Sequence, residues 1–457
     1  MSPLRPLLVL GRLIVATLAL GVAEAPAVSP PARPLIVDEI TLEGATRTSL
    51  DVVSRYLPLA AGDAVTPDQL LAAVDELRGS DLFAEVDFRT VRGDERGHLR
   101  LVLTAREHGP DVRFGTGFRD LDGWYLIPLQ LRWDGLLGRG DRLRAQFGLG
   151  YRLAEVRLAF EEPRLGRDGR WSWGTELSSG AIDRRYFVDG IAYDHPIERT
   201  SFEAHLSRRL GEHWSIGVAG ARQKIHADSL STVAEDDDFR GVSAGDRIDA
   251  ADVPLSASRH VGDVLGDVVR LDFVGDSRGE PGVALSPASG AWGRLRAETV
   301  LREDAHASRV ELDLRTYRRV GAGVLALRGR AGAVEETAAF YDRFYLGGPY
   351  TVRGFLDESI SPSEGDTRFW IASAEWRARL AGAPGRPRLV GSVFVDAGEG
   401  WTGGQRVAAD DVAVSAGWGF RVRVPWIDSI GFDFGVPLTE TPTRTSWAGH
   451  GALGWNF

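Results

Sequence analysis

From Val112 to the C-terminus the chain repeats one pattern sixteen times: a short run in which apolar and polar residues alternate, closed by Gly, Pro or Asp. A period of two puts successive side chains on opposite faces of an extended strand. Leu143, Ala145, Phe147 and Leu149 oppose Arg144, Gln146 and Gly148; Val310, Leu312 and Leu314 oppose Glu311, Asp313 and Arg315; Trp418, Phe420, Val422 and Val424 oppose Gly417, Gly419, Arg421 and Arg423. A soluble sandwich alternates as well. Here the polar face carries paired opposite charges and the apolar face ends in Trp and Tyr, the pattern of a wet lumen and a lipid-facing girdle. No run after residue 25 has the roughly 20 apolar residues of a spanning helix, so a membrane-spanning form of this chain is a closed barrel.

The strands are expected near 112–118, 124–133, 141–150, 153–160, 171–182, 200–209, 214–224, 264–275, 290–301, 306–318, 322–332, 368–379, 387–396, 412–424, 430–437 and 449–457. An even number returns both ends of the barrel to one side of the membrane. Links on that side are mostly short, as at Gly211-Glu-His213, Arg319-Val-Gly321 and Pro425-Trp-Ile427. Those opposite, 182–199, 227–263, 333–367 and 397–411, are mostly long, with Arg184–Asp194 open to reading as two half-strands. This asymmetry is the outer-membrane pattern.

Two segments precede the barrel. Arg5 and Arg12, the apolar run Leu13–Ala23 and the small residues Ala23 and Ala25 read as an export signal over 1–25. Residues 34–108 read as a small α+β domain: a strand Leu35–Leu42, a helix Ser49–Tyr56 with Thr48 or Ser49 as N-cap, a helix from Thr66-Pro67 to Arg78, and strands Phe83–Val91 and Leu99–Glu107. The third unit, 111–457, is the barrel. A net charge of −10 argues against a nucleic-acid surface, and the absence of cysteine suits an oxidising compartment.

The β-α-α-β-β order, with Gly44, Leu77, Phe83 and Val86 in place, resembles a POTRA domain. Gly347-Gly348 followed by Val352-Arg353-Gly354-Phe355, after the eleventh strand, resembles the conserved loop of the Omp85 superfamily, of the BamA/TamA-like surface-antigen type. Val393-Phe394-Val-Asp396-Ala-Gly398 resembles that superfamily's thirteenth-strand motif, and Ala374-Glu375 a second acidic position on the twelfth. Asp276-Ser-Arg278 with Pro287-Ala-Ser-Gly290 resembles its turn before strand nine, and Pro163 fits the close of strand four. The resemblance implies an all-β transmembrane barrel of sixteen antiparallel strands behind one POTRA domain. The loop would fold into the lumen and set Arg353 against Glu375 and Asp396. It implies a monomeric barrel in the bacterial outer membrane, its N-terminal domain in the periplasm, that inserts or translocates unfolded polypeptide clients. Leu453, Trp455 and Phe457 on a final alternating strand resemble the signal read by the barrel-assembly machinery.

Two-partner secretion of one dedicated client, or a passive pore, are the competing readings. No cofactor, metal or enzymatic activity is expected. Gly241-Val-Ser-Ala-Gly245 has the spacing of a nucleophile elbow without its strand–helix setting. The nine histidines are scattered, the acidic 227–263 lacks EF-hand spacing, and an arginine beside Glu375 and Asp396 would hold both ionised.

Overall fold

The computed structural model describes residues 34–457 except 81, 115–117, 120–122, 151, 167, 189–190, 234–246, 250–259, 280–284, 303–305, 384, 405–408, 425–426, 442, 444–445 and 456. The expected export signal, the acidic run Glu235–Asp238 and Gly241–Gly245 lie outside the described residues.

The small domain is a four-stranded sheet in the order β2-β1-β4-β3 with two helices. Its strands are β1 (Leu35–Glu43), β2 (Ala64–Val65), β3 (Glu85–Arg92) and β4 (His98–Arg106); its helices are α1 (Leu50–Val53) and α2 (Pro67–Gly79). The expected order is present, with the two-residue β2 added between the helices. Helix α2 starts where the sequence places it: Thr66 Oγ1 accepts from the Gln69 N–H, and Gln69 Oε1 accepts from the Thr66 N–H, a reciprocal capping box. Helix α1 is shorter than its periodicity suggests, one turn with no side-chain cap. Val37, Val53, Val74, Leu77, Leu101 and Leu103 form the domain's core.

The second sheet closes into a barrel. Its staves are β5 (Pro110–Phe114), β7 (Gly123–Asp134), β8 (Arg142–Gly150), β9 (Leu153–Leu165), β10 (Trp171–Val188), β11 (Ile191–Arg209), β12 (Trp214–Ala227), β15 (Gly262–Asp276), β16 (Gly290–Arg302), β17 (His306–Val320), β18 (Gly323–Val334), β19 (Arg368–Ala383), β20 (Arg386–Trp401), β21 (Ala413–Val424), β22 (Ile427–Pro437) and β23 (Ala448–Leu453). These are the sixteen expected strands. Three short pieces, β6 (Phe118–Arg119), β13 (Leu230–Val233) and β14 (Arg247–Asp249), decorate them.

Polarity is inverted relative to a soluble protein. Phe202, Val218, Leu271, Val310, Val393 and Trp418 are exposed on the outer wall, while Glu311, Asp313, Arg328 and Arg330 are buried inside. An apolar belt of this extent is stable against lipid, not water. No described helix is long and apolar enough to cross a membrane.

Three expectations are corrected. Residues 182–188 and 191–199 are strand and not loop: β10 and β11 pair continuously from Trp171↔Arg208 to Val188↔Ile191, as in the half-strand reading of Arg184–Asp194, and these two staves extend beyond their neighbours. Pro163 does not close its strand, because β9 runs on to Leu165 through a register irregularity that accommodates the missing N–H. The final strand stops at Leu453 and not at Phe457. Gly454, at φ 73, turns the chain inward, and its carbonyl accepts from Arg421 Nε at 2.6 Å. The Arg377 guanidinium lies over the Trp455 ring at 4.2 Å, and Phe457 packs beside Tyr317, Val324 and Val390 inside the barrel.

Candidate functional site

The residues between β18 and β19, 335–367, fold back into the lumen. Phe344, Leu346, Val352 and Phe355 pack with Phe369 and Ile371 on the inner face of β19, which gives the loop an apolar underside. Gly347 sits at φ 114, where a Cβ would lie 2.3 Å from the Leu356 carbonyl oxygen. The loop therefore doubles back on itself at a position no larger residue can take.

The turn delivers Arg353, 2% exposed. Its Nε and Nη2 donate to the two oxygens of Asp396 on β20, at 2.7 and 2.9 Å, and its Nη1 donates to Glu375 on β19 at 2.6 Å. The Arg353 backbone N–H also donates to Asp396, at 3.1 Å. Below the guanidinium lies the Phe394 ring, 3.5 Å from Cζ to centroid. A planar fork satisfies both carboxylates and stacks on the ring at once; an ammonium cannot.

Arg353, Glu375, Asp396 and Phe394, singled out in the sequence, thus meet at one point. Val352 and Phe355 are buried beside them, and Gly398 faces the Val352 side chain. Four neighbours escaped sequence reading. Asp433 on β22 stands 3.7 Å from Arg353 Nη1 and pairs with Arg421; Arg377 donates to Glu375 at 2.9 Å; His450 Nε2 on β23 accepts from the Gly354 N–H at 3.3 Å. Phe432-Asp433-Phe434 held the one available signal, a carboxylate at an inward position between two outward aromatics. Arg353, Arg377 and Arg421 face Glu375, Asp396 and Asp433, so three buried cations balance three buried anions. Neutrality is what makes such a cluster tolerable away from water. No group of His, Cys, Asp and Glu suited to a metal occurs among the described residues. Trp455 and Phe457, on the inward-turned tail, touch the cluster's edge: the Arg377 and Arg421 guanidiniums lie over the Trp455 ring at 4.2 and 4.6 Å, and Arg377 Nη2 donates to the Phe457 carbonyl at 2.9 Å; Leu453 ends the final strand.

An inside-out barrel with its own loop ion-paired in the lumen defines an outer-membrane barrel plugged by a folded-in loop. A family model described as the Omp85 superfamily domain matches residues 136–448, and the chain belongs to that superfamily. Its place is therefore the bacterial outer membrane. Among solved structures, BamA from Haemophilus ducreyi lacking POTRA domains 1–3 is similar with a TM-score of 0.65 at 16% identity, over 92% of this chain and 84% of that one. CdiB from Acinetobacter baumannii is similar at 0.58 and 15% identity, over 92% of this chain and 73% of that one. CdiB from Escherichia coli is similar at 0.52 and 12%, over 95% and 92%. At these identities the likeness is one of fold. No curated protein matches the chain in sequence.

Proposed function

We propose that this protein passes polypeptide clients into or across the outer membrane without an energy source of its own, and that the Arg353 loop sets the state of its barrel. The observation that carries this reading is where the loop is fastened. Arg353 and Gly354 contact β19, β20, β22 and β23, the last staves before the barrel closes on β5. The barrel closes where β22 and β23 meet β5, and a described pair there is Ile427↔Phe114 between β22 and β5. A loop clamped beside the joint of the first and last staves is placed to govern it.

The N-terminal domain, in the periplasm and of POTRA type, would receive the client. β2 covers β1 only at Leu35 and Ile36, and beyond Val37 that flank has no described strand partner. An extended segment can add to such an edge by backbone hydrogen bonds whatever its sequence. Arg353→Ala tests the reading: the variant assembles as a heat-modifiable barrel and client delivery is lost. A correctly inserted Arg353→Ala barrel that delivers clients at the wild-type rate sinks the proposal.

A further inference from the structure

Loop 335–367 has a second attachment, on another wall. Glu358, five residues past Arg353, holds a left-handed backbone at φ 62 and is 4% exposed. A non-glycine residue stays in that region only when its surroundings over-determine it. Here they do. Glu358 accepts from Arg184 Nη1 at 2.6 Å, from the Arg185 backbone N–H at 2.7 Å and from Arg152 Nη1 at 3.1 Å; Asp357 adds an ion pair to Arg152 at 3.4 Å. The Arg184 guanidinium in turn covers the Tyr345 ring of the same loop at 4.5 Å. Arg184 and Arg185 are on β10, the fifth stave, and Asp396 is on β20, the thirteenth. In a ring of sixteen these walls are half a turn apart.

We infer that Glu358 is a positioning residue: it anchors the far end of the loop so that the loop stands as a strut across the lumen, and so presents Arg353 to its carboxylates. This rests on the reading that the loop sets the barrel's state. Two further observations favour a strut over a loop that merely packs. Its two ionic ends use different partners: Glu375 and Asp396 hold Arg353, while Arg152 and Arg184 hold Glu358. And the staves that hold Glu358 carry, at their other ends, the seat of the N-terminal domain. Arg55 Nη1 lies 3.4 Å from Glu162 on β9, and the Arg164 guanidinium covers the Tyr56 ring at 4.6 Å. Gly169, in the β9–β10 turn, abuts the Arg55 backbone. Domain, β9–β10 wall, strut and closing staves form one contiguous chain of contacts.

The test is ion conductance of the purified full-length protein in planar bilayers, in potassium chloride and without client. Glu358→Gln keeps the shape and removes the charge. It is expected to fold as a heat-modifiable barrel and to raise the occupancy of conducting states about tenfold or more, as loss of charge-assisted hydrogen bonds does. Arg353→Ala should do the same, and the double variant should do no more than the larger single one, because a strut freed at either end is already free. Arg152→Gln, which leaves two of the three donors, covers the case in which Glu358→Gln does not fold and should raise occupancy in the same direction. A folded Glu358→Gln barrel with wild-type conductance overturns the inference, as do effects of the two variants that simply multiply. Raised conductance with client delivery intact would keep the anchor and remove the functional reading of the loop.

Discussion

At the scale of residues, the barrel's interior holds a few buried charges that pair with one another. Asp396 is 0% exposed, and every hydrogen bond it accepts in the cluster comes from Arg353. Arg353→Lys keeps the charge and loses the fork, so it is expected to behave more like Arg353→Ala than like wild type in delivery. Truncation to Ala strands a buried carboxylate at about 3–5 kcal/mol, readable as a lower denaturant midpoint. Gly435→Ala should match this without touching a charge. Its Cβ would fall 2.6 Å from Gly354 Cα, backbone against backbone, so the arginine turn must lift away from the wall; limited proteolysis within 335–367 would report it. In the small domain, Glu107 offers a pH-dependent case. Burial raises its pKa, but N–H groups of Thr48 and Arg47 and the hydroxyls of Thr48 and Thr46 overrule burial and bring it down to about 2. A depressed carboxyl contributes stability above its unfolded pKa and loses it as pH falls from about 4.5 toward 2. Glu107→Gln should flatten that acid limb in melts of the N-terminal domain within the full chain.

Elements were legible wherever one face met lipid and the other met water. That contrast writes a period of two into the sequence, and all sixteen staves follow from it. It fails where the contrast ends. Along 182–199 the hairpin extends past its neighbours, and Arg184 and His195 on one face and Arg185 on the other are all buried polar residues, so apolar alternation no longer marks a strand. At the C-terminus the opposite happens: Leu453, Trp455 and Phe457 continue the period, while Gly454 breaks the strand and the arginines Arg377 and Arg421 draw Trp455 inward. The Arg353 cluster was partly legible because its members sit in recognisable motifs. Glu358 has no motif, and its partners are distant in sequence, so only the fold reveals it. The loop's base makes its own prediction. Burial pushes the Asp366 carboxyl up to about 7, against the opposing hydrogen bond from the Ser361 hydroxyl. A raised carboxyl pKa stabilises the fold at low pH, and that contribution fades as pH rises from about 4 through 7. Asp366→Asn should remove this dependence, measured as protease resistance of loop 335–367 between pH 5 and 8.

For the whole molecule, the proposed function raises the question of where a client would leave. Sixteen staves form a closed ring, and its seam lies where the final strand β23, six residues long, and β22 meet β5, with Ile427↔Phe114 a described pair. The Arg353 end of the strut is fastened to the staves beside that seam. The chain contains no cysteine, so two introduced thiols have only each other to find. Phe114→Cys with Ile427→Cys places them on paired positions across the joint. If clients leave through the seam, oxidation should abolish delivery and a reductant should restore it, with folding and heat-modifiability unchanged throughout. Delivery that continues in the oxidised, fully crosslinked protein would assign the route to the lumen, and the strut would then act as a plug within the pore and not as a control on its wall.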